Sequence, residues 1–249
     1  MTAARFHRSV IRGNDPEAAR KRYGSDREVS RVYEGVVIRQ TKILGGRSMI
    51  LIFTREEGKI SAGTHLSEAS KGGAALAIRP FAYGSYSISE KRRDMLTISA
   101  AETIDAHFAL GEDADRFAEA SFALEFTDKL LPEGVAEPEL FDLLVEYLDL
   151  TCRRKADFRL LTISYMVKVM QGLGVFPRAV SLADGDLLSG LNGDILGAIS
   201  FIAGQPLKRM EGLKLDNEKE RAVFGVVKEF AQKHLDIGTI KSEYLLNKQ

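Results

Sequence analysis

The sequence predicts an α+β chain, in which an N-terminal five-stranded β-barrel is followed by an α-helical domain. Two periodicities lead there. Between residues 31 and 102, short apolar runs alternate with glycine-bearing or charged turns, the pattern of brief strands. From Asp113 onward, apolar residues recur every three or four positions, the spacing of helices packed on one face. Charge divides the chain in the same way. Residues 1–99 hold 18 Lys+Arg against 10 Asp+Glu, a balance of +8, and the remainder carries −8 within a net charge of zero. Such asymmetry points the basic part toward a polyanion or a membrane surface.

Residues 1–30 read as a basic N-terminal arm with Arg5, Arg8, Arg12, Arg20, Lys21, Arg22 and Arg27. It has too few apolar side chains to offset its ordering entropy, although Asp15 and Pro16 suit the start of a short helix. The barrel is expected over 31–103, with strands at Arg31–Thr41, Ser48–Thr54, Lys59–His65, Phe81–Ser89 and Asp94–Ala101. Val36–Ile38 and Met49–Phe53 are apolar cores of the first two strands. The fourth alternates, with Phe81, Tyr83, Ser85, Ser87 and Ser89 on one face and Ala82, Gly84, Tyr86 and Ile88 on the other. Between the third and fourth strands, a loop through Lys71-Gly72-Gly73 leads into a short helix near Ala74–Ile78. Five short strands with a small helical insert between the third and fourth form the arrangement of an OB-fold.

The helical domain spans 104–249. Phe117, Ala120, Leu124 and Leu131 lie on one face of its first helix, which Pro132-Glu133-Gly134 ends. Pro138 opens the next at its first turn. A third helix runs from about Asp157 to Gly172, an irregular insert lies near 178–193, and two further helices cover about Asp194–Ala203 and Asn217–His234.

Several function classes find no support. No apolar run approaches the roughly 20 residues that span a bilayer. The N-terminal residues contain no apolar core of a secretory signal, and the single cysteine, Cys152, accords with a reducing cytoplasm. His7, His65, His107 and His234 stand far apart, so neither metal nor cofactor is expected. Gly45-Gly46-Arg47-Ser48 lacks the phosphate-loop pattern, and Asp184-Gly185-Asp186 lacks the rest of a calcium loop. No nucleophile, base and orienting group appear together, so no catalytic residue is expected.

Cations in the barrel are the stronger signal. Arg39, Lys42 and Arg47 surround the first hairpin, and Arg55 and Lys59 flank the second turn. Lys71 and Arg79 lie in the insert, and Lys91, Arg92 and Arg93 fill the last turn. Strand faces and loops of an OB barrel bind oligonucleotides, with cations tracking phosphates and aromatics stacking bases. Phe81, Tyr83 and Tyr86 are the aromatic candidates. In the helical part, Arg153-Arg154-Lys155 ends a helix. Either the three complement its dipole or they contact a phosphate or an acidic peptide of a protein partner.

These residues resemble the RecO family of bacterial recombination mediators. The resemblance rests on VYEGVVIRQTKILGGRSMILIFTREEGKISA, with Thr54-Arg55-Glu56 then Gly58-Lys59, on Arg79-Pro80-Phe81, and on Ile98-Ser99-Ala100. Gly172-Leu173-Gly174, Pro177, and His234-Leu235 with Ile240-Lys241-Ser242 continue it, over about residues 32–245. It implies binding of single- and double-stranded DNA, strand annealing, and loading of RecA onto DNA covered by single-strand binding protein. It also implies work with RecR in the RecF pathway, contact with the acidic C-terminal tail of single-strand binding protein, and a cytoplasmic, nucleoid-associated place. Many members carry four cysteines, often holding zinc, where Val180–Gly193 has none. The competing reading is an adaptor that binds acidic peptide tails without touching DNA.

Overall fold

The computed structural model describes residues 30–43, 45–66, 73–91, 95–155, 157–178 and 191–246. The expected arm, apart from Ser30, and most of the expected irregular insert lie outside them. Five strands, β1 (Ser30–Ile43), β2 (Arg47–Thr54), β3 (Gly58–Thr64), β4 (Tyr83–Lys91) and β5 (Met95–Asp105), close into a barrel in the order β1-β2-β3-β5-β4. β4 returns antiparallel to β1, with Ser30 opposite Ser89 and Val36 opposite Tyr83. A short parallel contact, Gly63–Thr97 and Thr64–Ile98, completes the ring between β3 and β5. The short helix α1 (Ala74–Ala77) enters between β3 and β4, and Tyr86 Oη donates to the Ala77 carbonyl at 2.6 Å. This is the OB arrangement expected from the strand spacing.

The barrel has two apolar faces along β1 and β2, which explains why their sequences run apolar instead of alternating. Val37, Ile50, Ile52, Tyr86, Ile88 and Ile98 fill the interior. Val36, Ile38, Leu51, Phe53 and Phe81 point the other way, into a core shared with the helices. Strands covered on both faces lose the period-2 signal. β4 begins at Tyr83 and not at Phe81, because Phe81 takes a left-handed backbone (φ 74) that no regular strand accommodates.

A 3-10 turn at Phe108–Gly111 leads from the barrel into α2 (Ala114–Leu130), where Asp113 accepts from the Arg116 amide at 2.9 Å and caps the helix. α3 (Pro138–Arg153) starts on its proline. α4 (Arg159–Gly172) is the central helix, packed by α2, α3, α5 (Gly193–Gly204) and α6 (Asn217–Leu235). Being apolar on every side is the mark of a buried helix. Two of its buried hydroxyls are matched inside the core, with Tyr165 Oη 2.6 Å from Thr127 Oγ1 and Thr162 Oγ1 2.8 Å from Tyr147 Oη, whereas Ser164 Oγ has no hydrogen-bond partner among the described residues. A second 3-10 turn, Leu207–Gly212, precedes α6, and α7 (Glu243–Leu246) closes the described chain.

Glu125 on α2 holds the start of α7. Its carboxylate accepts from the amides of Lys241 (2.8 Å) and Ser242 (2.7 Å) and from the Ser242 hydroxyl (2.7 Å). Burial works against the charged form, but these donors outweigh it and hold the carboxyl below its ordinary range. A carboxyl depressed on folding contributes stability that is complete above its unfolded value and drains away as pH falls through the folded one. Glu125→Gln should therefore melt below wild type at pH 7, and the gap should shrink as pH falls through and below the ordinary carboxylate range. Thermal melts across that range check it. A gap that stays constant with pH would refute the assignment.

Candidate nucleic-acid interface

The register of the strands separates the cations into two ends. Lys42 pairs with Ser48 and Ile43 with Arg47, so exposed Lys42 and Arg47 sit at the tip of the β1–β2 hairpin. Ser30 stands beside Ser89, which puts the end of β4 and the start of β5 at the opposite end of β1, about 40 Å away along the strand. Arg55, in the β2–β3 turn, belongs to that far end, and its guanidinium pairs with Asp142 of α3. The expected cations therefore do not share one face. Lys71, Arg92 and Arg93 lie outside the described residues, as does the side chain of Lys91.

Lys59 is a correction. It is 6% exposed, not a surface cation. Its ammonium donates to Asp128 Oδ1 at 2.7 Å and to the Asp128 carbonyl at the end of α2. The loop after α2 docks on β3, where the Gly134 amide donates to the Lys59 carbonyl at 3.0 Å. A buried ammonium persists only with such partners, so Lys59 bolts the barrel to the helices.

Arg154 is a second correction. It is 6% exposed, and its guanidinium donates to the carbonyls of Met210 (2.5 Å), Glu211 (2.9 Å) and Leu213 (2.8 Å). The five donors of an arginine fork suit the carbonyl ends of this 3-10 turn, where the Met210 carbonyl also accepts from the Leu213 amide at 3.2 Å. Of the predicted partner-binding triplet, only Arg153 and Lys155 remain exposed. Arg153 turns its Nε to the Asp149 carbonyl at 3.2 Å within its own helix.

What the fold does bring together is a groove of about 930 Å³ between the barrel and α2. Arg39 and Arg79 reach it from the barrel side, and Lys129 and Lys241 from the helical side. A β-bulge between Val37 and Arg39 shifts the register of β1, so that Ile38 and Arg39 both turn toward the helices. Arg39 lies 3.2 Å from Asp128 Oδ2 yet keeps 62% of its side chain in solvent. The two acids of the groove both have partners. Asp128 is shared by Arg39 and Lys59, and Glu125 accepts from the Lys241 and Ser242 amides just before α7. Lys42 stands three residues beyond Arg39 on the same strand, about 10 Å on.

The aromatic candidates are also reassigned. Tyr86 is fully buried inside the barrel, Phe81 is 8% exposed, and Tyr83 packs against Phe141. The exposed rings of the groove are Phe108 (62%) and Phe117 (42%). The helical period of Phe117 points to a core position, and the structure leaves it partly open. Nothing in the local sequence marks Lys129 and Lys241, 112 residues apart, as neighbours of one groove.

His107 pins the floor of the junction. It adopts a left-handed backbone (φ 46) and is buried, with Nδ1 2.8 Å from the Phe81 carbonyl and Nε2 3.1 Å from Asp149 Oδ1. Among the described residues, Asp105, His107 and Asp149 are the group whose donor atoms, all within 4.8 Å of one another, have the chemistry to hold a metal. In the structure they tie the end of β5 to α3. A second cleft, about 740 Å³, surrounds the Glu119–Arg159 pair (2.6 Å). Asp115, Asp157, Glu220 and Glu243 line it too, against Arg221 and a Lys228 paired with Glu243, which leaves the cleft acidic on balance and a poor seat for a polyanion. Burial pushes the Cys152 thiol up to about 11, so it carries no thiolate at neutral pH. No helix among the described residues is long and apolar enough to cross a membrane.

Comparison with known proteins places similarity over both parts of the chain. The family model "Recombination protein O N terminal" matches residues 30–107, and "Recombination protein O C terminal" matches 111–185. A DNA repair protein RecO of Alkaliphilus metalliredigens (strain QYMF) is 28% identical over 148 residues, 59% of this chain and 60% of that protein. A DNA repair protein RecO of Bacillus cereus (strain B4264) is 31% identical over 144 residues, 58% of this chain and 57% of that protein. The matches thus span about three fifths of these relatives' length.

Proposed function

The chain belongs to the RecO family, and from that premise we propose that it is a DNA-binding recombination mediator in DNA repair. It binds single- and double-stranded DNA, anneals strands, and with RecR loads RecA onto DNA coated by single-strand binding protein. The barrel and the helical part divide near residue 104 and act together in the cytoplasm, at the nucleoid, without a covalent step of their own. The observation that carries this reading is the convergence of Arg39, Arg79, Lys129 and Lys241 on one groove whose two acids are already paired. Lys42 and Arg47 extend the cationic track along the hairpin. Arg153 and Lys155 remain the candidates for the acidic tail of single-strand binding protein.

Cations that replace condensed counterions make affinity fall with salt, by about 0.7 in the log–log slope for each single-strand phosphate contacted. The test is fluorescence anisotropy with a labelled oligonucleotide over a salt series, with and without RecR. Arg39→Glu/Arg79→Glu should weaken binding at low salt by at least about 10-fold and shrink the slope by about 1.4, two contacts' worth. Arg55→Glu, outside the groove and at the far end of β1, should change neither by much. Wild-type affinity in the groove variant would remove the ground for this reading.

A further inference from the structure

We infer that Phe108 and Phe117 form a base-stacking platform that lets the groove prefer unpaired DNA over duplex. The inference rests on the DNA-binding reading and deepens it, because cations alone hold phosphates of either form.

The two rings have unlike supports. Phe117, on the first turn of α2, meets buried Phe81 edge to face, with centroids 5.6 Å apart. Phe81 is itself fixed, since its amide donates to the Val37 carbonyl at 3.0 Å and its left-handed backbone is held between that bond and the His107 contact to its carbonyl. A rigid ring therefore props Phe117 and leaves 42% of it open to the groove. Phe108 starts the 3-10 turn after the barrel and is 62% exposed, although its neighbour Leu110 is fully buried. An isolated exposed phenylalanine needs no explanation. Two of them in one groove, with Arg39 and Arg79 on one bank and Lys129 and Lys241 on the other, match the composition of single-strand sites, in which cations take the backbone and aromatics take the base faces. In a duplex those faces are covered by neighbouring bases. The rings thus add affinity for a single strand and nothing for a double one.

The experiment compares Phe108→Ala, Phe117→Leu and their combination with wild type. Leucine at 117 keeps packing on Phe81, so the fold is not at stake. Anisotropy is measured on a labelled oligothymidine and on a duplex of the same length at one salt concentration, then over a salt series. Each ring removed should raise the single-strand Kd about 5-fold or more. The duplex Kd should stay within about 2-fold, and the salt slope, set by phosphates, should not move. Equal losses on both forms, or no loss on either while wild type binds, would overturn the inference and leave the DNA-binding reading intact. Variants that keep all DNA affinity but lose a labelled acidic peptide would also overturn it, and would assign the groove to a protein partner. If wild type binds no DNA at all, both readings fall.

Discussion

Arg154→Ala should lower thermal stability more than any other exposed-looking charge removal in this chain. The side chain leaves α3 at its last turn and donates to three carbonyls of the Leu207–Leu213 segment. Deleting it takes a charged donor from all three carbonyls, although Met210's keeps the Leu213 amide. Hydrogen bonds from a charged donor are worth about 1.5–3 kcal/mol each, and are not additive when one group makes three. A loss of about 4 kcal/mol follows, in the range seen when one partner of a buried charge network is removed. For a chain of this size that is a drop in Tm of roughly 8–16 °C. Arg154→Lys keeps a cation but only one of the donor directions, so it should recover part of the loss. If Arg154 were instead a ligand contact at the surface, both variants would melt with wild type, and circular dichroism melts decide between the two roles.

The second large effect belongs to Gly58. Its backbone is left-handed (φ +70), and an added Cβ would lie 1.9 Å from the Val135 carbonyl oxygen and 2.6 Å from its carbon. Those atoms are backbone in the loop that docks on β3, so no side-chain rotation relieves the collision. Gly58→Ala must push that loop off the barrel, and Lys59 loses its alignment with Asp128 in the same movement. The expected cost is about 4 kcal/mol, combining strain with a displaced interface. Gly46 provides the control. It has the same backbone hand (φ +71) and nothing within 4 Å of its would-be Cβ, so Gly46→Ala should cost only about 1 kcal/mol. Denaturant unfolding of both variants separates steric exclusion from backbone strain. Equal losses would show that the loop is free to yield.

The strands and most helices were legible because they are local. Val36–Ile38, Met49–Phe53 and the alternation through Tyr86 and Ile88 mark strands wherever the chain goes next, and Asp113 and Pro138 start their helices by chemistry within a turn. Asp105 was not legible as the end of β5, since nothing local separates it from a turn. The site was less legible still. A lysine next to a glycine turn reads as solvated, and Lys59 is buried only because α2 ends above it with Asp128, 69 residues on. Arg154 reads like its neighbours Arg153 and Lys155. The partner that claims it alone is a turn more than fifty residues further along.

The residues by themselves determined the barrel, its strand order class, the helical remainder and the excess of positive charge in the first part, because propensity, period and turn chemistry act over a few residues. Only the tertiary structure decided which cations remain free to meet a ligand. That depends on where β1 bulges, where α2 comes to rest, and which carbonyls arrive at a junction within reach of a cation. These are long-range packing outcomes, and they turned two expected surface cations into fasteners and two core-patterned or unremarked phenylalanines into the open rings of a charged groove.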